Sequence, residues 1–246
     1  PAAALGEAAD CGLVVEAIVE NADAKRALFR ELEGVVGEGA VLASNTSSIS
    51  VTALAAGLAH PGRFVGMHFF NPVPLMKLVE VVSGLATEPA AAAAIFELSK
   101  RWGKTPVHAR STPGFIVNHA GRGYGTEGLR LLEEGVTTFS TLDKILRDCA
   151  GFRLGPCELL DLTGLDVSHP VMESIYHQYY EEDRYRPSVI TAQRLAGGML
   201  GRKTGEGFYK YDSGVMQVAP EMPAPSVTEM PPIWVSPRAS RRSELL

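Results

Sequence analysis

The stretch LVVEAIVENADAKRALFRELEGVVGEGAVLAS, residues 13–44, decides the fold class. Its first six residues form a short, mostly apolar run typical of a buried parallel strand, and residues 41–44 form a second such run. Asn21 or Asp23 can cap a helix between them. The order strand, helix, strand predicts a parallel βαβ unit. The buried face of the helix is predicted at Ala24, Leu28, Leu32 and Val35.

The same alternation continues to residue 111, with further strands predicted at 64–70, 77–82 and 105–109. It predicts an α/β domain with a mainly parallel sheet over residues 1–111. The pattern then becomes helical, which predicts a separate all-helical domain at 112–212, followed by a Pro-rich tail or linker at 213–246. The helices of the second domain are predicted at 115–134, 141–148, 171–180 and 188–195.

Composition excludes several classes of protein. A net charge of −5 argues against a nucleic-acid partner, since the one basic cluster, at Arg238, Arg241 and Arg242, lies in the tail. Three cysteines without CxxC spacing favour neither a disulfide framework nor a metal site. No apolar run is long enough to span a bilayer, and the first residues are not a charged segment followed by an apolar one. We therefore expect no membrane association and a cytoplasmic location.

The polar cluster SNTSS, residues 44–48, follows directly after the second predicted strand. In open α/β sheets ligands bind at the carboxyl ends of the strands, so Ser47 is a candidate binding residue. The alternative interpretation is an ordinary turn, because Ser and Asn are common turn formers.

One histidine and one glutamate interrupt the apolar stretch GMHFFNPVPLMKLVEVV, residues 66–82. A single histidine in a strand is often only a hydrogen-bonded core residue. A carboxylate in a buried strand, however, costs several kcal/mol unless it has a partner, and an imidazole is a suitable one. A histidine held by a carboxylate is a suitable general base near neutral pH. We therefore predict that His68 and Glu80 form a catalytic pair.

The segment STPGFIVN, residues 111–118, joins the two predicted domains. Pro113 and Gly114 indicate a hinge, and Asn118 lies one turn into the first long helix. On spacing alone, Asn118 is equally well interpreted as a substrate-binding amide or as a polar residue on a helix face.

Taken together, these motifs resemble the 3-hydroxyacyl-CoA dehydrogenase family, including its 3-hydroxybutyryl-CoA members. The resemblance runs from about residue 13 to residue 211. It is carried by VVEAIVEN, ASNTSS, MHFFNPVPLMKLVEVV, TPGFIVN, GPCELLDLTGLD and GRKTGEGFYKY, in the order and spacing of the family. It implies a Rossmann-type NAD-binding domain followed by a helical domain that carries a dimer contact.

The resemblance also implies roles for particular residues. His68 would take the hydroxyl proton of a 3-hydroxyacyl-CoA while Glu80 steadies the resulting imidazolium, and Ser47 and Asn118 would bind the substrate oxygen. Asn71 would touch the bound ligands. On the NAD side, the implied contacts are Glu20 and Lys25 at the nicotinamide ribose, with Ser47, and Lys203 from the helical domain.

The sequence departs from the family at its start, where the glycine-rich GxGxxG turn is missing, so we expect a fragment of the NAD domain. The string at residues 123–128 matches GxGxxG but follows Asn118 inside a predicted helix, and we do not interpret it as the phosphate loop. Similarity to phenylacetate-pathway relatives makes a 3-hydroxyadipyl-CoA substrate a further possibility. The alternative to an enzyme is an inactive fragment, or a crystallin-like structural member of the family that dimerises without catalysis.

Overall fold

A computed structural model describes residues 4–218 of the chain. The basic cluster of Arg238, Arg241 and Arg242 and most of the predicted tail lie outside the described residues. None of the helices within residues 4–218 has the length and apolar character needed to cross a bilayer.

A five-stranded sheet forms the first half of the chain, with its strands arranged in sequence order. The first three strands are mutually parallel, the third and fourth are antiparallel, and the fourth and fifth are parallel again. The predicted mainly parallel sheet is thus confirmed, with one antiparallel step in its centre. The strands are β1 (Leu13–Glu16), β2 (Val41–Ser44), β3 (Phe64–Phe69), β4 (Leu78–Ser83) and β5 (Thr105–Arg110).

Helices cover both faces of this sheet. Side chains alternate between the two faces along each strand, so the apolar strands contribute to a core on each side. Leu42 and Phe64 pack towards α1 (Ala22–Glu33) and α2 (Val51–Ala55), which also bury Phe29 and Leu54. Their neighbours Ala43 and Val65 pack towards α3 (Pro89–Arg101) on the other face. The result is a three-layer α/β arrangement whose central strands are apolar on both sides.

The buried face of α1 differs from the prediction. Asn21 caps the helix as expected, its side chain accepting a hydrogen bond from the backbone N–H of Ala24. The helix, however, buries Phe29 and Leu32 together with Lys25, rotated by about one residue from the predicted face. The physical reason is an ion pair that draws Lys25 inward, as described below.

A layer of helices packs beside the sheet, and a short hairpin ends the described chain. The predicted helix at 115–134 is divided at Gly121, and a further helix, which is not among the predicted ones, begins at Pro156 directly after Gly155. Proline is well suited to the first position of a helix, so the pair marks a start. The elements are α4 (Val117–Ala120), α5 (Arg122–Glu133), α6 (Phe139–Asp148), α7 (Pro156–Thr163), α8 (Leu165–Gln178), α9 (Val189–Ala196), β6 (Lys210–Asp212) and β7 (Val215–Gln217).

The last hairpin corrects the predicted start of the tail. Residues 215–217 were assigned to a loose segment beginning at 213, but they pair antiparallel with residues 210–212. Buried Asp161 of α7 holds the segment before this hairpin by accepting hydrogen bonds from the N–H groups of Phe208 and Tyr209. The conspicuous glycines of GRKTGEGF have a packing role here, since a Cβ on Gly207 would lie 2.2 Å from Oδ1 of Asp161.

Candidate active site

His68 and Glu80 face each other across the antiparallel strands β3 and β4. They are register partners, and such partners project their side chains from the same face of a sheet. Nδ1 of His68 lies 2.6 Å from Oε2 of Glu80, and the side chains are 4% and 0% exposed. The second oxygen, Oε1, accepts hydrogen bonds of 2.9 Å from the backbone N–H groups of Ile116 and Val117. Glu80 therefore joins the histidine to the segment that enters the helical layer.

The environment of Glu80 keeps its carboxyl group ionised. Burial raises the pKa of Glu80, but the hydrogen bonds from His68, Val117 and Ile116 together lower it further, so that its pKa lies below its ordinary value. An ionised carboxylate only accepts hydrogen bonds, so the proton of the neutral imidazole is on Nδ1. This leaves Nε2 of His68 unprotonated and able to accept a proton.

His68 lines a cavity of about 340 Å³ together with the other predicted substrate residues, Ser47, Asn71 and Asn118. Nδ2 of Asn118 lies 3.4 Å from the carbonyl oxygen of Ser47 and donates to it. The fold thus brings side chains from the end of β2, the end of β3 and the first turn of α4 to one cavity. A small molecule there would meet an imidazole, a hydroxyl and two amides.

A second, larger cleft of about 550 Å³ lies at the carboxyl ends of β1 and β2 and reaches α8. Glu20 and Lys25 line it, and Ser47 lines both this cleft and the first cavity. The two spaces therefore meet at Ser47. Ligands that reach Ser47 from the two spaces would therefore lie next to each other.

Glu20 organises the SNTSS turn. Its Oε1 accepts hydrogen bonds from the hydroxyl of Thr46 and from the N–H groups of Ser47 and Ser48. Burial raises the pKa of Glu20, whereas these hydrogen bonds and the charge of Lys25 lower it more, so the net shift is downward. The turn that carries Ser47 is consequently fixed by a negative charge.

Lys25 is held inside the protein. Its Nζ donates to Oε1 of Glu16 at 2.7 Å, pairs with Oε2 of Glu20 at 3.2 Å, and reaches the carbonyl oxygen of Ile18 at 3.4 Å. These contacts engage all three N–H donors of an ammonium group. In the structure Lys25 positions Glu20, and it lines the cleft without a free donor.

Lys203, unlike the other residues predicted to contact NAD, is not among the described residues that line the two spaces. Its Nζ contacts Oδ1 of Asp166 closely, and this ion pair lowers the pKa of Asp166. Asp166 itself lines the larger cleft. Lys203 is thus placed at the rim of the cleft behind a carboxylate.

Three further residues with contacts at or near the two spaces were not predicted from the sequence. Glu16 anchors Lys25 and accepts from the hydroxyl of Ser44, and a carboxylate inside a buried strand is the signal that identified Glu80. Gln178 donates to the carbonyl oxygen of Ser48. Arg122 lines the smaller cavity. Nδ1 of His119, the residue after Asn118, lies 2.9 Å from the hydroxyl of Tyr179, a contact that only the tertiary structure shows.

The GxGxxG string at residues 123–128 lies within α5, as predicted, and its glycines have different surroundings. A Cβ on Gly128 would approach Cγ of Pro156 to 3.0 Å, so the missing side chain lets α5 and α7 pack closely. Gly123 and Gly125 have nothing within 4 Å of an added Cβ. The string is therefore a helical packing element, not a phosphate loop.

Comparison with known families accounts for both halves of the chain. Residues 1–112 match the family described as "3-hydroxyacyl-CoA dehydrogenase, NAD binding domain", and residues 114–211 match "3-hydroxyacyl-CoA dehydrogenase, C-terminal domain". The chain belongs to the 3-hydroxyacyl-CoA dehydrogenase family. The predicted family and fold class are thereby confirmed.

Individual relatives in this dehydrogenase family agree. A 3-hydroxyadipyl-CoA dehydrogenase from Escherichia coli (strain K12) is 48% identical over 199 residues, which are 81% of this chain and 42% of the relative. A probable 3-hydroxybutyryl-CoA dehydrogenase from Deinococcus radiodurans is 44% identical over 84% of this chain and 74% of its own length. The chain therefore spans less than half of the first relative and about three quarters of the second.

Solved structures of dehydrogenases share the fold. The crystal structure of 3-hydroxybutyryl-CoA dehydrogenase from Escherichia coli K12 has a TM-score of 0.86 and 44% identity, over 92% of this chain and 48% of that one. The (S)-3-hydroxybutyryl-CoA dehydrogenase from Ralstonia eutropha has a TM-score of 0.82 and 40% identity, over 86% and 74%.

NAD is the cofactor of the matched domain, and the larger cleft suits its nicotinamide and ribose end. The polar lining groups include the amides of Asn21 and Asn45, the hydroxyls of Ser47 and Ser48, and the carboxylates of Glu20 and Asp166. Such groups hydrogen-bond ribose hydroxyls and a carboxamide, and a carboxylate is a usual partner of a ribose diol. The chemistry of the donors and acceptors therefore fits the group.

Proposed function

We propose that this chain carries out the NAD-dependent oxidation of (S)-3-hydroxyacyl-CoA to 3-oxoacyl-CoA. The observation that carries the proposal is the buried His68–Glu80 pair, which opens on one side into a cavity shared with Ser47 and Asn118. Family membership and the adjoining cleft suited to NAD support it.

In the proposed reaction, Ser47 and Asn118 hydrogen-bond the C3 hydroxyl oxygen and orient it towards Nε2 of His68. Nε2 takes the hydroxyl proton as the C–O bond becomes a carbonyl. The imidazolium that results is stabilised by Glu80, whose second oxygen is held by two backbone N–H groups and so cannot swing away. In the reverse direction the same imidazolium donates the proton.

The larger cleft would hold NAD, which would supply the acceptor for the hydride that leaves C3. The protein's contribution is to place the substrate next to the larger cleft. Ser47 lies at the junction of the two spaces, so the C3 hydrogen of a substrate held by Ser47 can face that cleft. Glu20 fixes the backbone of Ser47, and we propose that it also contacts the nicotinamide ribose, with Lys25 positioning it. Asn71 at the cavity wall and Lys203 at the rim complete the proposed contacts with substrate and cofactor.

The proposed substrates are acyl-CoA thioesters of fatty-acid or phenylacetate-type catabolism in the cytoplasm. The relatives' names include both a 3-hydroxybutyryl and a 3-hydroxyadipyl substrate. We also propose a homodimer formed through the helical layer. This layer exposes large apolar side chains, for example Val136, Leu162 and Val189, each more than half exposed, as expected for an interface.

The test is formation of NADH by the purified chain with NAD and (S)-3-hydroxybutyryl-CoA. The variant His68→Gln is expected to lower kcat by about 10²- to 10⁴-fold while acyl-CoA affinity changes little, because only proton transfer is lost. His60→Gln, an exposed histidine far from the cavity, is the matched control and should keep full activity. No NADH from a folded wild-type chain would favour the non-catalytic alternative, and an unchanged kcat in His68→Gln would remove His68 from the mechanism.

A further inference from the structure

Arg122 introduces a charge into a cavity that is otherwise neutral apart from His68. Among the described residues that line the 340 Å³ cavity, it is the one Lys, Arg, Asp or Glu. The neighbouring wall is apolar and includes Leu159, Val171 and Met172. A cation in such a place has no role in the proton transfer assigned to His68 and Glu80.

The Arg122 guanidinium lacks a partner within residues 4–218. No ion pair or hydrogen bond of its side chain is found there, and its Nε is buried without a hydrogen-bond acceptor. Burial lowers the pKa of Arg122 to about 10. An unpaired charge that is partly buried is unfavourable, and an anion that enters the cavity would offset that cost.

Carboxylates on neighbouring helices are already engaged and do not supply this anion. Glu158 contacts Arg147 and accepts from the N–H of Gly155. Asp143 accepts from the N–H groups of Cys157 and Glu158 and from the hydroxyl of Tyr209. The missing partner of Arg122 is therefore expected from a ligand.

We infer that Arg122 binds a carboxylate at the far end of the acyl chain, so that the preferred substrates are 3-hydroxyacyl-CoA thioesters of dicarboxylic acids. The inference rests on the proposed function, which places the C3 hydroxyl between His68 and Asn118. Arg122 begins α5 four residues after Asn118 of α4, and Gly121 between the two helices keeps a helical backbone conformation, so the step is close to the ~6 Å of one helical turn. Three C–C bonds of about 1.5 Å each, from C3 to the C6 carboxylate of a six-carbon chain, cover most of that step.

The cavity wall next to Arg122 leaves room for such a chain. Gly125, one turn of α5 away, lines the cavity, and an added Cβ would meet nothing within 4 Å. The phosphates of coenzyme A are the other anions of the substrate, and the whole pantetheine arm separates them from the thioester. A guanidinium one helical turn from the C3 site is thus better placed for the acyl terminus than for a phosphate.

The experiment compares two ligands that differ only in the terminal carboxylate, adipyl-CoA and hexanoyl-CoA, with binding to the whole chain measured by calorimetry. Wild type is expected to bind adipyl-CoA about 10- to 100-fold more tightly, the effect of a charge-assisted hydrogen bond. Arg122→Met should remove this preference, and Arg122→Lys should retain part of it. Arg101→Met, an exposed arginine at the end of α3, should leave the preference intact.

Equal affinity of wild type for the two ligands would overturn the inference. So would an equal loss of affinity for both in Arg122→Met, since that result indicates a contact with a coenzyme A phosphate. If Arg122→Met does not fold, the ratio of the affinities for adipyl-CoA and hexanoyl-CoA in wild type and in Arg122→Lys still tests the inference. Oxidation of (S)-3-hydroxybutyryl-CoA by the same protein, measured in parallel, separates the two proposals. If wild type oxidises this substrate but does not prefer adipyl-CoA over hexanoyl-CoA, only the role of Arg122 is overturned. If wild type prefers adipyl-CoA but does not oxidise the substrate, only the proposed reaction is overturned.

Discussion

Both oxygens of Glu80 are used as acceptors, one by Nδ1 of His68 at 2.6 Å and the other by the N–H groups of Ile116 and Val117. One carboxylate therefore orients the candidate base and also holds the segment that leads from the sheet into α4. Asn118 lies at the start of that helix. Glu80 thus links His68 to the helix that carries Asn118.

Glu80→Gln is expected to lower kcat by about 10²- to 10⁴-fold, as in other sites where an amide replaces the carboxylate behind a catalytic histidine. Glutamine has one acceptor oxygen, so its NH₂ group must face either the N–H of His68 or the two backbone N–H groups. The measurement is kcat for NADH formation, with circular dichroism to show that the variant folds. A kcat equal to that of wild type would mean that Glu80 is not coupled to the reaction.

The stability of the chain should depend on pH through Glu20. Because the folded pKa of Glu20 lies below its ordinary value of 4.5, its carboxylate stabilises the folded state fully above pH 4.5. This contribution is lost as the pH falls through the lowered folded pKa. In urea unfolding at a series of pH values, wild type should lose stability relative to Glu20→Gln over that acidic range. Parallel curves for the two proteins would contradict the assigned hydrogen bonds.

Lys25→Met should lower the free energy of unfolding by about 3–5 kcal/mol, because it leaves the buried Glu16 carboxylate without a counter-charge. Lys100→Met is the control. Lys100 forms an exposed ion pair with Glu97, which is worth at most about 1 kcal/mol. Denaturant unfolding measures both variants. Adding Glu16→Gln to Lys25→Met should recover part of the lost stability, because the buried carboxylate is then removed. If Lys25→Met and Lys100→Met lower the free energy of unfolding equally, Lys25 has no structural role.

Two glycines of the GxGxxG string should respond oppositely to alanine. Gly123→Ala has open space and should raise the free energy of unfolding by up to about 1 kcal/mol through helix propensity. Gly128→Ala brings a Cβ to 3.0 Å from Cγ of Pro156 and should be the less stable variant, because the proline ring at the start of α7 cannot easily move. Thermal or urea unfolding of the pair checks the order. The reverse order would mean that α5 and α7 separate without cost.

Much of the fold was predictable because it follows from local patterns in the sequence. The βαβ order followed from the period of the apolar residues, and Asn21 was recognisable as a helix cap. Misassignments occurred where tertiary contacts override a local pattern. Lys25 is buried by its pairing with Glu16, which rotates the predicted face of α1. Asp161, distant in sequence, holds the residues next to the last hairpin, where a tail was expected to begin.

The sequence by itself determined which residue types are available for chemistry: a histidine and a carboxylate in neighbouring strands, a serine after β2 and an asparagine after the hinge. It did so because charged or polar side chains in apolar strands and at strand ends are conspicuous. Only the tertiary structure decided that they meet. Antiparallel pairing of β3 and β4, the one antiparallel step in the described sheet, makes residues 68 and 80 direct partners. Only the tertiary structure likewise shows that the partly buried guanidinium of Arg122 is unpaired among the described residues, because its partners depend on the side chains that other helices bring to it.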